Sequence, residues 1–139
     1  MKKLAILLSL SLLLAACDLG FPKMTVNYDN LPHGKIKEYI TKTFPNEPEK
    51  EALSKMIYAQ LSSDKSADNI RKTVSQMGMT CEVEKEMCEY SGYIKTKVAG
   101  ISSGSGRAKR IYHIVIFPKK GMDSLKIEYQ IVEDTEKVN

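Results

Sequence analysis

The first hydrophobic pattern in the chain is an unbroken apolar run near its N-terminus. Lys2 and Lys3 precede this run, which extends from Leu4 to Ala16. A positive start followed by a short apolar segment is typical of a secretory signal peptide. The run is too short to cross a bilayer as a helix, because crossing takes about 20 apolar residues. Residues 1–16 are therefore predicted to be a signal peptide that is removed.

Three later stretches repeat apolar residues at helical spacing. Their apolar positions are Ile36, Tyr39, Ile40 and Phe44; Leu53, Met56, Ile57 and Leu61; and Ile70, Val74 and Met77. Pro45 is predicted to end the first helix. Asn46 is predicted to cap the second, with Glu49 three residues on. The third should begin at Ser66 and end at Gly78, because glycine readily takes the left-handed conformation found after helices.

From about residue 80 the period changes to the two-residue alternation of strands. Alternating apolar positions are Cys81, Val83, Cys88, Tyr90, Ile94 and Val98, and later Leu125, Ile127, Tyr129 and Ile131. Residues 110–117 form an apolar run suited to a central strand, while "AGISSGSG" and "PKKGMD" indicate a flexible loop and a turn. The fold class predicted is α+β, with two to three N-terminal helices packed on one face of a three- to four-stranded antiparallel meander.

The segment before the first helix has no sustained period. Residues 17–33 contain Gly20, Pro22 and Pro32 and are predicted to be a flexible tether that reaches roughly 50 Å when extended. The alternative is a short strand through "MTVNY". Residues 34–139 are then expected to form a single domain.

The sequence Leu14-Ala15-Ala16-Cys17 resembles a bacterial lipobox. In that family a diacylglyceryl group is attached to the cysteine sulfur, the signal peptide is cut before the cysteine, and the new amine is acylated. An ordinary signal peptide that happens to end at a cysteine is the alternative. The resemblance implies a lipoprotein held in a membrane by acyl chains, such as palmitate, on Cys17, with its domain in the periplasm.

Lipidation of Cys17 would leave Cys81 and Cys88 as an even pair in an oxidising compartment, so we predict a disulfide between them. The loop that it closes is worth about 2.5 kcal/mol on the chain-entropy model. A redox or metal pair is the alternative, but metal sites usually have cysteines closer together and further ligands downstream.

Other groups capable of chemistry lack the pattern that the chemistry needs. The acidic residues Glu82, Glu84, Glu86 and Glu89 lack the glycine-bearing loop of a calcium site, so they indicate a solvated face. The segment "GISSGSGR" lacks the lysine that ends a P-loop. His33 and His113 have no nucleophile placed beside them by a motif, and a packed or hydrogen-bonded imidazole is expected at His113. We therefore predict no catalytic residue, no cofactor and no metal.

Net charge changes the picture little. Removal of Lys2 and Lys3 lowers the formal charge from +4 to +2, too small to indicate a polyanionic partner, and nucleic acid is excluded by compartment. Several basic residues nevertheless concentrate on the strands and their loops: Lys95, Lys97, Arg107, Lys109, Arg110, Lys119 and Lys120. They suit anionic lipid head groups or an acidic partner protein. A dispersed, solvated face is the favoured interpretation, because acidic residues are interspersed.

Residues 66–88, with a capped helix that ends in glycine and a cysteine on each of two following strands, resemble small proteobacterial envelope lipoproteins. With the lipobox and the element order over residues 47–132, the chain is similar to the SmpA/OmlA type, accessory lipoproteins of outer-membrane β-barrel assembly. The helix at residues 35–44 and the disulfide depart from that pattern. The resemblance implies a kindred fold, whereas function is a separate question.

Together these patterns predict a non-catalytic lipoprotein of the cell envelope that binds another envelope protein. An inhibitor or immunity-type lipoprotein, which blocks an enzyme or toxin with an exposed loop, is the alternative; an enzyme comes third. Asp18 follows the lipidated cysteine, a position where aspartate tends to retain enteric lipoproteins in the inner membrane. Asp18 therefore favours the inner membrane over the outer one.

Overall fold

The computed structural model of the protein describes residues 23–100 and 104–134. Its elements are β1 (Lys23–Asn27), α1 (Lys35–Thr43), α2 (Lys50–Gln60), α3 (Ala67–Gln76), β2 (Thr80–Glu82), β3 (Met87–Gly100), β4 (Gly104–Ile116) and β5 (Lys126–Glu133). Two short 3₁₀ turns, Pro118–Lys120 and Met122–Ser124, connect β4 to β5. The α+β prediction is confirmed. The predicted signal peptide, Cys17 and Asp18 lie outside the described residues.

The helices follow their apolar spacing. Ile36 and Ile40 lie one turn apart in α1 and are both buried. In α3 the side chain of Ser66 accepts a hydrogen bond from the Asn69 amide (3.3 Å), which confirms the predicted cap. Gly78 follows with φ of +113°, and a Cβ there would lie 2.7 Å from the carbonyl oxygen of His33. This helix end therefore requires glycine.

The predicted start of α2 is wrong. The helix begins at Lys50, and its N-cap is Glu49 instead of Asn46. A cap at Asn46 would make Glu47 the first helical residue. Glu47 precedes Pro48, whose ring disfavours helical backbone angles at the residue before it. The chain therefore stays irregular until it has passed this proline.

The five strands form one antiparallel sheet in the order β1-β3-β4-β5, and the short β2 also pairs with β3. β3 and β4 make a long hairpin that is paired from Cys88 opposite Ile116 to Gly100 opposite Gly104. The two short strands share the outer edge of β3: β2 pairs near its start and β1 near its end. The meander is thus β3-β4-β5, and the short strands β1 and β2 are additions at one edge of it.

Alternate residues of the hairpin face the helices and form the core. The buried members from the sheet are Cys88, Tyr90, Ile94, Tyr112, Ile114 and Ile116. They join buried residues of the three helices in one hydrophobic cluster. No helix within the described part of the chain is both long and apolar enough to span a membrane.

The predicted tether does not extend through residues 23–33. The alternative strand forms as β1, which pairs with β3. Beyond β1, Leu31 is 2% exposed, and the Tyr93 amide donates to the carbonyl oxygen of Asn30 (3.3 Å). Burial of Leu31 and pairing with a distant strand bring this segment into the domain. Only the five residues 18–22 then separate Cys17 from the first strand.

The predicted disulfide is confirmed. Cys81 on β2 lies directly opposite Cys88 on β3, with a Cα–Cα distance of 4.0 Å, and their sulfur atoms are bonded. Cys88 is fully buried. The bond therefore joins the outermost short strand to the core of the sheet.

Candidate functional site

The sheet face opposite the helices, called the open face below, carries the most varied chemistry of the domain. Strand alternation places on it every second residue of the long hairpin and of β5. Its members are Glu89, Ser91, Tyr93, Lys95, Lys97, Arg107, Lys109, Ile111, His113, Val115, Lys126, Glu128, Gln130 and Val132. The open face divides along the strands into a basic end, an apolar centre and a histidine–carboxylate group.

The basic end lies beside the turn of the hairpin. Its five cations are Lys95 and Lys97 of β3, Arg107 and Lys109 of β4, and Lys23 of β1. The register sets like charges directly opposite each other: Lys95 faces Lys109, and Lys97 faces Arg107. Such cross-strand pairs are mutually repulsive. Five cations are thus held at one end of the sheet.

Interactions with neighbouring groups moderate this repulsion. The ammonium groups of Lys95 and Lys109 lie 5.9 and 5.2 Å from the centre of the Tyr93 ring, within cation–π range. Lys109 also lies 3.8 Å from the carboxylate of Asp134, just after β5. Lys23 and Lys97 are exposed and lie nearer to the hairpin turn.

The apolar centre consists of Tyr93 and Ile111, which are directly opposite each other on β3 and β4. They line an open concavity of about 490 Å³, whose walls include Asn30 and His113. Both side chains are half-buried. Tyr93 pairs across the hairpin with Ile111, and Ile111 also pairs with Gln130 of β5, so the sheet fixes the backbone beneath both side chains.

His113 lies between two carboxylates at the other side of the concavity. Its Nε2 is 3.1 Å from Glu89 and its Nδ1 is 3.4 Å from Glu128. The hydrogen bond to Glu89, supported by Glu128, raises the pKa of His113 above its ordinary value of 6.5, and partial burial opposes this only in part. When both nitrogens donate, the ring has no lone pair with which to act as a base. The predicted hydrogen-bonded imidazole is confirmed, and it ties three strands together.

The four glutamates of the predicted acidic face, Glu82, Glu84, Glu86 and Glu89, do not lie together on one face. β2 ends at Glu82, and the chain then turns, so Glu84 and Glu86 do not continue a strand face. Glu82 pairs with Lys85 (2.9 Å), and Glu86 pairs with Lys119. Within residues 23–100 and 104–134, no three His, Cys, Asp or Glu side chains are grouped to hold a metal ion.

The glycine-rich loop is shorter than predicted. Strand β4 already begins at Gly104, and Gly106 is paired with Val98. Residues 101–103 lie outside the described residues. The end of the segment "GISSGSGR" therefore belongs to the hairpin, because Gly104, Ser105 and Gly106 pair with residues of β3.

The basic residues noted in the sequence separate into three places. Four of them form the basic end together with Lys23, which no pattern in the sequence had linked to them. Arg110 lies on the helix side, where its guanidinium stacks on Phe44 (4.6 Å) and donates to the Pro45 carbonyl. Lys119 and Lys120 lie in the 3₁₀ turn at the far end of the sheet. The two-residue spacing of the cations on β3 and β4 signals a shared face, but only the register shows that they are opposite each other.

No protein-family model, curated protein or solved structure matches this chain.

Proposed function

We propose that this protein is a non-catalytic lipoprotein, anchored by acyl chains on Cys17, whose periplasmic domain binds another envelope protein through the open face. The observation that carries the proposal is the apolar centre, in which Tyr93 and Ile111 line an open concavity beside charged groups of both signs. Interfaces between proteins are enriched in tyrosine at their centre and are polar at their rim. This part of the sheet has that composition.

The shape of the concavity favours a protein surface over a small molecule. Small-molecule sites usually enclose most of their ligand and present a few convergent polar groups. Here the concavity is open, and both ring nitrogens of His113 beside it already lie within hydrogen-bond distance of carboxylates. A convex apolar side chain of a partner, with polar groups around it, fits this surface better.

Co-purification with a matched pair of variants tests the proposal. Ile111→Thr removes apolar surface from the open face while it retains a β-branched residue. Ile131→Thr makes the same change on the helix side of the sheet, where Ile131 is 57% exposed. The partner should co-purify from membranes with the wild type and with Ile131→Thr, and should be lost with Ile111→Thr. Equal recovery with both variants would contradict a role for the open face.

The inhibitor or immunity-type alternative is favoured by a different observation. The turn between β2 and β3 is closed by the Cys81–Cys88 bond, and Glu86 in it is paired with Lys119. At this turn Val83 is 71% exposed. A rigid turn with a protruding apolar side chain is suited to block a cleft. Loss of a bound enzyme or toxin in Val83→Ser, with retention in Ile111→Thr, would support this alternative.

The similarity to accessory lipoproteins of β-barrel assembly and the inner-membrane location favoured by Asp18 remain predictions. They concern which envelope protein is bound and where.

A further inference from the structure

β5 forms an uncovered edge of the sheet. It is the last strand in the order β1-β3-β4-β5, and within the described part of the chain no strand pairs with its outer side. The opposite edge differs, because β1 and β2 both pair along the outer side of β3. β5 runs for eight residues without proline or glycine, and no bulge interrupts its register with β4. Proline and bulges are common means of blocking an edge, so this edge is open to another strand.

The outward backbone groups of β5 belong to its odd-numbered residues. The amide of Asp134, just after β5, donates to the carbonyl oxygen of Arg107 (3.0 Å), which continues the register of β4 and β5 by one step. In an antiparallel pair, the residues that exchange hydrogen bonds recur at every second position. Even-numbered residues of β5 therefore bond to β4, and the N–H and C=O groups that point outwards are those of Ile127, Tyr129, Ile131 and Glu133. Such a row of alternating donors and acceptors matches the backbone of an extended polypeptide.

The side chains of β5 differ between the two sides of the sheet. On the helix side, Ile127 and Tyr129 are half-buried against the core, and Ile131 is 57% exposed. The exposed side chains on the open face are polar: Lys126, Glu128 and Gln130. A strand added at this edge therefore needs apolar side chains on the helix side and polar ones on the open face.

We propose that the added strand is β5 of a second copy of this chain, antiparallel about a two-fold axis that crosses the sheet at Tyr129. On the helix side, Ile127 then lies opposite Ile131 of the second copy, and the two Tyr129 side chains lie opposite each other. Aromatic and β-branched pairs of this kind stabilise a sheet. On the open face, the opposed pairs are Lys126 with Val132 and Glu128 with Gln130. No like charges are opposed, and Ile131 becomes covered.

Neighbouring registers fit less well. A shift by one residue sets the helix side of one copy against the open face of the other. An axis at Glu128 sets the two copies of this carboxylate opposite each other, which is repulsive. An axis at Gln130 sets Ile127 opposite the charged Glu133. The sequence of β5 thus favours the register centred on Tyr129, and this self-complementarity favours a second copy as the occupant.

The added strand lies beside the sheet and leaves the open face uncovered. The concavity is lined by Tyr93 on β3 and Ile111 on β4, inside the edge that β5 forms. Because the two-fold axis is perpendicular to the sheet, the open faces of both copies point the same way. Dimer formation is therefore independent of binding at the open face.

Cysteine cross-linking of the full-length protein in cells tests this pairing. One copy carries Lys126→Cys and the other Val132→Cys, each with its own epitope tag. Even-numbered residues would form non-hydrogen-bonded pairs between the two copies, so these Cα atoms should lie about 4.5 Å apart, within the range of a disulfide. We expect a product that contains both tags after mild oxidation.

Gln130→Cys with Val132→Cys is the matched control. These positions lie four residues out of register, about 13 Å apart along the strands, which is too far for a disulfide. The control pair should therefore give at most about one tenth as much product with both tags. Equal yield from both pairs, or no such product from Lys126→Cys with Val132→Cys, would overturn the dimer.

A charge on the helix side of β5 provides a second measurement. Ile131→Lys places an ammonium group opposite Ile127 of the second copy, twice in each dimer, and should lower the yield of product with both tags at least about tenfold. Because Ile131 is 57% exposed, the single copy should still fold. Val83→Lys makes the same change in charge beside β2, at the opposite edge of the sheet, where Val83 is 71% exposed. This control should leave the yield unchanged, and an equal loss in both variants would contradict the pairing.

The remaining outcomes separate the dimer from other occupants and from the proposed function. If Lys126→Cys cross-links to a different protein and the product with both tags is missing, the edge takes its strand from that protein and the second copy is excluded. Ile111→Thr, which changes the open face, should leave the product with both tags unchanged. Loss of the partner and loss of the dimer are therefore measured separately.

Discussion

Substitution of Gly92 by alanine should destabilise the domain, because residues 30–32 pack directly on this part of β3. A Cβ at Gly92 would lie 2.7 Å from the carbonyl oxygen of Asn30 and 2.9 Å from Cδ of Pro32. Ordinary contacts begin near 3.4 Å, so the backbone of the N-terminal segment must move by several tenths of an ångström. Overpacking of this kind costs about 1–3 kcal/mol.

Gly106 provides the matched control on the neighbouring strand. A Cβ at Gly106 has no neighbour within 4 Å. Gly106→Ala should therefore stabilise the domain by about 0.4–1 kcal/mol, since alanine has fewer unfolded conformations to lose. The free energies of unfolding of the two variants should differ by about 2 kcal/mol.

Thermal unfolding of the mature protein measures this difference directly. About 2 kcal/mol corresponds to a difference in Tm of about 8 °C for a domain near 100 residues. Hydrogen exchange adds a local readout, because the Tyr93 amide donates to Asn30 and should lose protection in Gly92→Ala. If Gly92→Ala is as stable as Gly106→Ala and Tyr93 stays protected, the N-terminal segment does not pack on the sheet.

Four further predictions concern the anchor, the disulfide and the histidine. Cys17→Ser should leave an uncut precursor or release the protein from membranes, and normal processing with full membrane attachment would exclude a lipobox. Reduction should add two hydrogens to the mass of the mature protein and, by opening the Cys81–Cys88 loop, lower the free energy of unfolding by about 2.5 kcal/mol; two alkylatable thiols in the unreduced protein would contradict the bond. Membrane fractionation should find the native protein in the inner membrane and Asp18→Ser in the outer one, whereas both in the outer membrane would refute the role of Asp18. The pKa of His113 in the folded protein is raised above 6.5, so the stability that its charged ring contributes should be present below pH 6.5 and be lost as pH rises through the folded pKa. The free energy of unfolding of the wild type should therefore exceed that of His113→Gln by less than about 1 kcal/mol at pH 5, and the two should converge at high pH. A difference that widens as pH rises would contradict this.

The parts of the fold that the sequence predicts correctly depend on local signals. The spacing of Ile36 and Ile40 places both on one helical face, and Ser66 and Gly78 mark the ends of a helix by their own backbone chemistry. Alternation along β3 similarly identifies Tyr90 and Ile94 as core residues. Each of these signals is complete within a few neighbouring residues.

The parts that the sequence predicts poorly depend on distant partners. The strand Lys23–Asn27 is mostly exposed, so it has little hydrophobic alternation, and it forms by pairing with a segment about 70 residues later. The basic end is hidden for the same reason, since the two-residue spacing of Lys95 and Lys97 does not reveal Lys109 and Arg107 opposite them. The concavity beside Tyr93 likewise requires the register of two strands.

The central claim is that another envelope protein binds the open face, and site-specific photo-crosslinking in cells tests it most directly. An aromatic photo-crosslinking residue replaces Tyr93 at the centre of that face or, as a control, Tyr58, which is 43% exposed on α2. The open-face position should give one discrete crosslinked product with a single envelope protein, and the Tyr58 position should not give it. The same products from both positions, or none from Tyr93, would contradict the claim.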